Sequence, residues 1–279
     1  MKFNLFKFYR LDFCFRNLGL GVIGIFSSGP TFDVKLSLLA LVNILLIQMH
    51  SFSANDLFDS KAFEEKNYIT ELKKTGVSVK LCLFLTLLPL IFLIATILIY
   101  KAHSYILFLY IFLFYLYQTP PFRLKNNYLF SIVINAACLG AILFLYPYLL
   151  LTNKIGPLGL FFIILFFFYL AFHELIHQIA HLGRDKICSL PSKIGIGRTV
   201  DIARCFLIIS ALTGIWGLIF VPVGKIIFIV PVVFSAMRLY KLSKIPAVQE
   251  NFIKLRNRWD KFYTLQEGLI YLILLKLWK

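Results

Sequence analysis

Thirteen of the 279 residues are acidic, and five of these fall between Asp56 and Glu71. They begin with the run Asn55-Asp56-Leu57-Phe58-Asp59 and continue with Glu64, Glu65 and Glu71. At about 100° per helical residue, Asn55, Asp56 and Asp59 project at roughly 0°, 100° and 40° and so share one face. Two carboxylates and an amide converging in this way offer oxygen ligands to a hard divalent cation such as Mg²⁺. A solvated polar loop is the other reading of the same composition.

A second group runs from His173 to Asp185, with Glu174, His177, His181 and Asp185 spaced three, four and four residues apart. Relative to Glu174, the other three project at roughly 300°, 340° and 20°, again on one face. Ionisable side chains at the end of an apolar helix are costly, and they usually face the interior of a bundle and serve function. Two such faces, on separate helices, could meet over one cavity.

Residues His173, Glu174 and His177 also spell H-E-x-x-H, in which two histidines hold zinc and the glutamate is the base of a peptidase. An intramembrane zinc peptidase needs a third protein ligand. After residue 205 the only acids are Glu250, Asp260 and Glu267, none of them in the middle of an apolar span. The five cysteines, at 14, 82, 138, 188 and 205, show no ligand spacing and read as small buried hydrophobes.

The elements that must position these groups are membrane helices. The chain is 60% hydrophobic and 15% charged, with mean hydropathy +0.83. A soluble domain is about 45–50% apolar and about 25% charged, so a soluble fold is excluded. The 30 Phe and 14 Tyr exclude disorder. About 20 apolar residues cross a bilayer. Nine windows approach that length: Phe13–Ser28, Leu36–Ala54, Val77–Tyr100, Ser104–Thr119, Leu129–Leu151, Leu158–Ala180, Val200–Phe220, Gly224–Leu239 and Tyr263–Leu277. The expectation is an all-α polytopic membrane protein. About nine transmembrane helices should form a single domain over 1–279, around a central cavity open to the cytoplasmic side.

Orientation follows from the basic residues. With the N-terminus in the cytoplasm, all of the 29 Lys and Arg fall inside except Lys35, Lys101, Lys154, Lys225, Lys276 and Lys279. The net charge of +16 then expresses the positive-inside rule and attraction to anionic membrane lipid, and no nucleic-acid partner is expected. The first sixteen residues carry Lys2, Lys7, Arg10 and Arg16 without a following small-residue cleavage site, so the first apolar segment is expected to stay in the membrane.

Three stretches together resemble the UbiA family of intramembrane prenyltransferases, and the resemblance extends over most of the chain. The first is the N-D-x-x-D run Asn55-Asp56-Leu57-Phe58-Asp59 after the second helix. The second is Tyr117, Pro120-Pro121, Arg123 and Lys125 between the fourth and fifth helices, followed by a helix containing Gly140. The third is Glu174, His181 and Asp185, followed by Leu190-Pro191 and Gly195. The chain departs from the family pattern where His181 replaces an acid, where Phe63 stands at a further acidic position, and where the segment from Asp185 to Leu190 is about three residues short.

The resemblance implies Mg²⁺-dependent transfer of an isoprenyl chain from an allylic polyprenyl diphosphate to a hydrophobic acceptor within the membrane, with release of diphosphate. It implies Asn55, Asp56 and Asp59 around one Mg²⁺, and Glu174 with Asp185 around another. His181 would be a water-mediated ligand or a donor to phosphate. Tyr117, Arg123, Lys125 and Lys186 would contact diphosphate oxygens; for the basic residues, plain cytoplasmic topology is the alternative. An intramembrane zinc peptidase, a catalytically inactive relative and a non-enzymatic transporter or scaffold are the competing readings. Transporter sites usually lie near the bilayer midplane on broken helices, whereas these acids lie at helix ends.

Overall fold

The computed structural model describes residues 3–29, 33–62, 67–183, 189–221, 224–256 and 261–277. Among these the chain is helical, with no strand. A short helix α1 (Leu5–Phe8) leads into α2 (Leu11–Ser27), α3 (Val34–Ala62), α4 (Tyr68–Lys74), α5 (Val79–Ile99) and α6 (Ser104–Gln118). There follow α7 (Tyr128–Ala136), a π turn over Ala137–Ile142, α8 (Leu143–Thr152) and α9 (Pro157–Ala180). The remainder comprises α10 (Leu190–Ile194), α11 (Ile196–Phe220), α12 (Ile226–Lys244), α13 (Gln249–Lys254) and α14 (Lys261–Leu277).

Each apolar window falls on a helix, the fifth on α7 and α8 joined through the π turn. Among the described residues, six helical segments are long and apolar enough to cross a membrane: Val34–Ser60, Val79–Ile99, Tyr128–Thr152, Pro157–Ala180, Ile196–Phe220 and Ile226–Lys244. The windows on α2, α6 and α14 fall short because those helices have 17, 15 and 17 residues. Beyond its window, α3 continues through Ala62, which puts the whole Asn55–Asp59 run on its last turns.

Neighbouring helices pack in a closed circuit. The order is α2, α3, α6, α7, α9, α11, α12 and α14, with α14 returning to α2. The α5 helix lies outside against α3, and α8 lies against α2 and α3. Outward residues such as Phe84, Ile91, Phe92, Leu98 and Ile99 are exposed and apolar, as a lipid-facing surface requires. Gly140, in the π turn, permits the approach of α9, since a Cβ there would stand 2.6 Å from the carbonyl oxygen of Phe166. Gly195, at φ +84°, makes the left-handed corner between α10 and α11.

Lipid is as apolar as a leucine side chain, so burial alone does not drive helices together in a membrane, and polar ties between helices contribute. Asn43 on α3 donates to the Tyr146 hydroxyl on α8 at 2.7 Å and accepts from Thr96 on α5 at 2.6 Å. His50 on α3 meets the Thr86 carbonyl at 2.9 Å and the Tyr115 hydroxyl at 3.1 Å, tying in α5 and α6.

Candidate active site

The ends of α3 and α9 meet at one end of the bundle. Between them lies a cavity of about 480 Å³ whose lining includes Arg10, Asn55, Asp56, Asp59, Tyr117, Lys125, Glu174, His177, Gln178 and His181. The two acidic faces anticipated from helical periodicity therefore do open onto a common space. Asp185 and Lys186 lie outside the described residues.

On the α3 wall the carboxylates are buried rather than solvated: Asp56 is 2% and Asp59 is 6% exposed. Each is matched by cations from distant chain segments. Arg10, just before α2, donates through Nε to Asp56 Oδ2 at 3.1 Å and pairs through Nη2 with Oδ1. Asp59 pairs with Lys125 and accepts from Arg123 Nη2 at 3.2 Å. Lys125 is 1% exposed. Asn55 donates to Asp59 Oδ2 at 3.1 Å and accepts from Gln118 Nε2. The segment after α3 is fastened by Asn67, which caps α4 and donates to the Asp56 carbonyl at 2.8 Å. Tyr117 lines the cavity and its hydroxyl accepts from Asn135 at 3.2 Å.

Among the described residues the α9 wall carries one carboxylate, Glu174. Glu174 accepts from Gln178 Nε2 at 3.1 Å, and the same amide reaches Ser131 Oγ on α7 at 2.9 Å. Gln178 Oε1 accepts the Leu190 amide at 3.0 Å, which docks α10 onto the cavity. His177 and His181 stack with ring centroids 4.4 Å apart. His173 lies instead beside Tyr169 and Phe172, at 5.3 and 5.1 Å. The H-E-x-x-H histidines thus have different surroundings, and among the described residues no three His, Cys, Asp or Glu side chains are grouped to hold a metal.

Asp56, Asp59 and Glu174 suit Mg²⁺ in donor type, and all three line the one cavity. That ion demands oxygen, keeps several waters, and is commonly held by one or two carboxylates together with substrate phosphates instead of a complete protein cage. Arg10 and Lys125 bring positive charge to the same cavity, and Arg123 stands beside Asp59.

Sequence reasoning passed over several groups here. Gln178 was findable, being four residues from Glu174 on the same face. Arg10 and Arg256 had no local signal, since both act across long sequence separations. Deeper in the bundle, Glu267 on α14 accepts from Arg238 on α12 at 3.1 Å and from the Tyr169 hydroxyl on α9. Arg238 is 0% exposed, with its guanidinium 4.5 Å from the Tyr169 ring centroid.

The model of the UbiA prenyltransferase family matches residues 18–251. Among solved structures, a UbiA homologue from Archaeoglobus fulgidus bound to DMAPP and Mg²⁺ aligns with TM-score 0.79 at 16% identity, covering 97% of this chain and 96% of that one. A structure of digeranylgeranylglyceryl phosphate synthase aligns at 0.77 and 14% identity, covering 98% and 97%. The apo structure of a homologue from Aeropyrum pernix aligns at 0.64 and 15% identity, covering 95% of each chain. At these identities the likeness is one of fold. A search of curated protein sequences matches none.

Proposed function

Because the chain belongs to the UbiA prenyltransferase family, we propose that it is an integral membrane prenyltransferase, moving an isoprenyl chain from an allylic polyprenyl diphosphate to a hydrophobic, lipid-soluble acceptor with Mg²⁺ as cofactor. In this reading 1–279 is one domain of about nine spans, with the N-terminus and the cavity on the cytoplasmic side. The observation that carries the reading is the convergence of the α3 carboxylates, Glu174 and the paired basic side chains on one cavity.

Asn55, Asp56 and Asp59 would hold one Mg²⁺, and Glu174 with Asp185 a second. Mg²⁺, when bound, supplies Lewis-acid neutralisation of the departing diphosphate. Arg10, Arg123 and Lys125 pair with the carboxylates. In this reading the cations would turn toward diphosphate oxygens and leave carboxylate oxygens to the metal. Tyr117 and Lys186 would add donors from the α6 end and from beyond α9. The bond from the allylic carbon to the diphosphate oxygen breaks with both electrons on oxygen. A new bond joins that carbon to the acceptor, which releases a proton. Burial in the bundle keeps water from the allylic cation, and aromatic faces can stabilise it.

The test is diphosphate release by purified protein in detergent with Mg²⁺ and radiolabelled allylic diphosphates of graded length, with and without membrane lipid extract. Extract-stimulated, Mg²⁺-dependent release that is lost in an Asp56→Ala, Asp59→Ala double variant establishes the reaction class, and the labelled lipid names the acceptor. Absence of release from every donor points to an inactive relative. Activity that needs zinc and is lost in His173→Ala would revive the peptidase.

A further inference from the structure

The α6 helix ends on Gln118, which is 1% exposed. Its Nε2 donates to Asn55 Oδ1 on α3, across 63 residues of chain. Asn55 in turn donates through Nδ2 to Asp59 Oδ2 at 3.1 Å. Asn55 and Asp59 line the cavity, and Gln118 stands one contact behind them.

The two ends of a side-chain amide are alike in shape, so their partners decide which is oxygen and which is nitrogen. Asp59 takes Lys125 and Arg123 on Oδ1 and Asn55 on Oδ2. A carboxylate that meets two cations offers acceptors only. Asn55 must therefore turn its NH₂ to Asp59, which leaves its oxygen toward α6. Only a donor satisfies that oxygen, so Gln118 presents its own NH₂, and the polarity set at Asp59 runs through both amides. Gln118 Oε1, at the far end, is buried with no hydrogen-bond partner among the described residues. An apolar residue of the same length would avoid the cost of that buried acceptor. What Gln118 supplies instead is a donor for Asn55.

We infer that Gln118 is a positioning residue for the metal site. It fixes the polarity of the Asn55 amide, and through Asn55 it holds the second oxygen of Asp59, the first being held by Lys125 and Arg123. The inference rests on the prenyltransferase reading, in which Asn55 and Asp59 share one Mg²⁺, and it adds the outer partner that orients those ligands. Loss of an outer partner typically lowers metal affinity by about 10–100-fold.

Titration of the full-length protein in detergent with Mn²⁺ and inorganic pyrophosphate tests it, with free Mn²⁺ read by electron paramagnetic resonance. Gln118→Met, similar in length and without a donor, is expected to weaken Mn²⁺ binding about tenfold, with a melting temperature close to that of the wild type. Asn55→Ala should lose at least as much, and adding Gln118→Met to it should lose nothing further, because Gln118 acts through Asn55. Gln118→His, whose ring N–H can take the place of the amide, should recover most of the affinity, and a packing defect would not be repaired by a ring of different shape. If Gln118→Met does not yield a monodisperse protein, Gln118→Leu takes its place in the same comparisons. Wild-type affinity in Gln118→Met, a further tenfold loss in the double variant, or no recovery in Gln118→His each overturns the inference and leaves the prenyltransferase reading standing. If the wild type takes up no Mn²⁺ with pyrophosphate, or an Asp56→Ala, Asp59→Ala double variant binds it unchanged, that reading falls and the inference with it.

Discussion

Two regions of this chain set buried carboxylates against cations, and they differ in what surrounds the pairs. At the cavity, Asp56 and Asp59 meet Arg10, Arg123 and Lys125 beside about 480 Å³ of polar-lined space. Between α9, α12 and α14, Glu267 meets Arg238 among Tyr169, Tyr271 and Phe234, and Arg238 Nε and Nη2 have no hydrogen-bond partner among the described residues. A charge beside a cavity can exchange its partner for water, a metal or phosphate. A charge with aromatic rings packed about it can keep only the partner it has. The first arrangement suits binding and turnover, and the second suits holding three helices in register.

The largest effect should come from the cavity. Asp56→Ala with Asp59→Ala is expected to lower prenyl transfer by about 10³-fold or more, because several kcal/mol of leaving-group stabilisation depend on those carboxylates. Its melting temperature should stay close to that of the wild type, since water can solvate Arg10 and Lys125. A double variant that keeps its activity would remove the cavity from the chemistry.

Glu267→Gln inverts the pattern. Removing one partner of a sealed pair costs about 3–5 kcal/mol, and replacing both by apolar groups of similar volume is often neutral. A lowered melting temperature in detergent is therefore expected for Glu267→Gln, with recovery in Glu267→Leu, Arg238→Met. If Glu267→Gln melts like the wild type but loses turnover, the deep pair belongs with the cavity and the contrast fails.

Lys125→Met separates the roles within the cavity. In the proposed function its loss would remove one charge-assisted contact to diphosphate while Arg123 still faces Asp59, so a fall of roughly 10–100-fold in donor affinity is expected. The measurement is KM or Kd for the donor against kcat. An unchanged Kd with an unchanged kcat would return Lys125 to the purely topological role that its loop position first suggested.

What the sequence disclosed, and what it hid, follows the range of each interaction. Asn55, Asp56 and Asp59 were placed on one face because a helix converts spacing into direction, and α3 does run on through them. Glu174 and His177 were legible in the same way on α9, and His181 caps that helix just past its last residue, Ala180. The nine apolar windows fall on helices, because hydropathy in a bilayer reports local composition. Arg10 reaches the cavity, and Arg256 reaches His181 at its edge, only because segments 46 and 75 residues away fold back onto their partners. Glu267 was visible as an acid but not as a buried one, since Arg238 lies 29 residues away on another helix. Periodicity carries no information about such pairings.

The smallest expected effect tests whether charge is what distinguishes the sealed region. Asn43, Thr96 and Tyr146 join α3, α5 and α8 by neutral hydrogen bonds, with Asn43 1% exposed. Interhelical hydrogen bonds of this kind average about 0.6 kcal/mol in membrane double-mutant cycles, because the unfolded chain in a membrane also finds polar partners. Asn43→Ala, Thr96→Ala and their double variant should therefore show a coupling near that size in a reversible unfolding titration, with turnover unaltered. A coupling approaching the cost of Glu267→Gln would mean that depth alone, and not ionisation, sets the penalty for breaking a polar tie in this bundle.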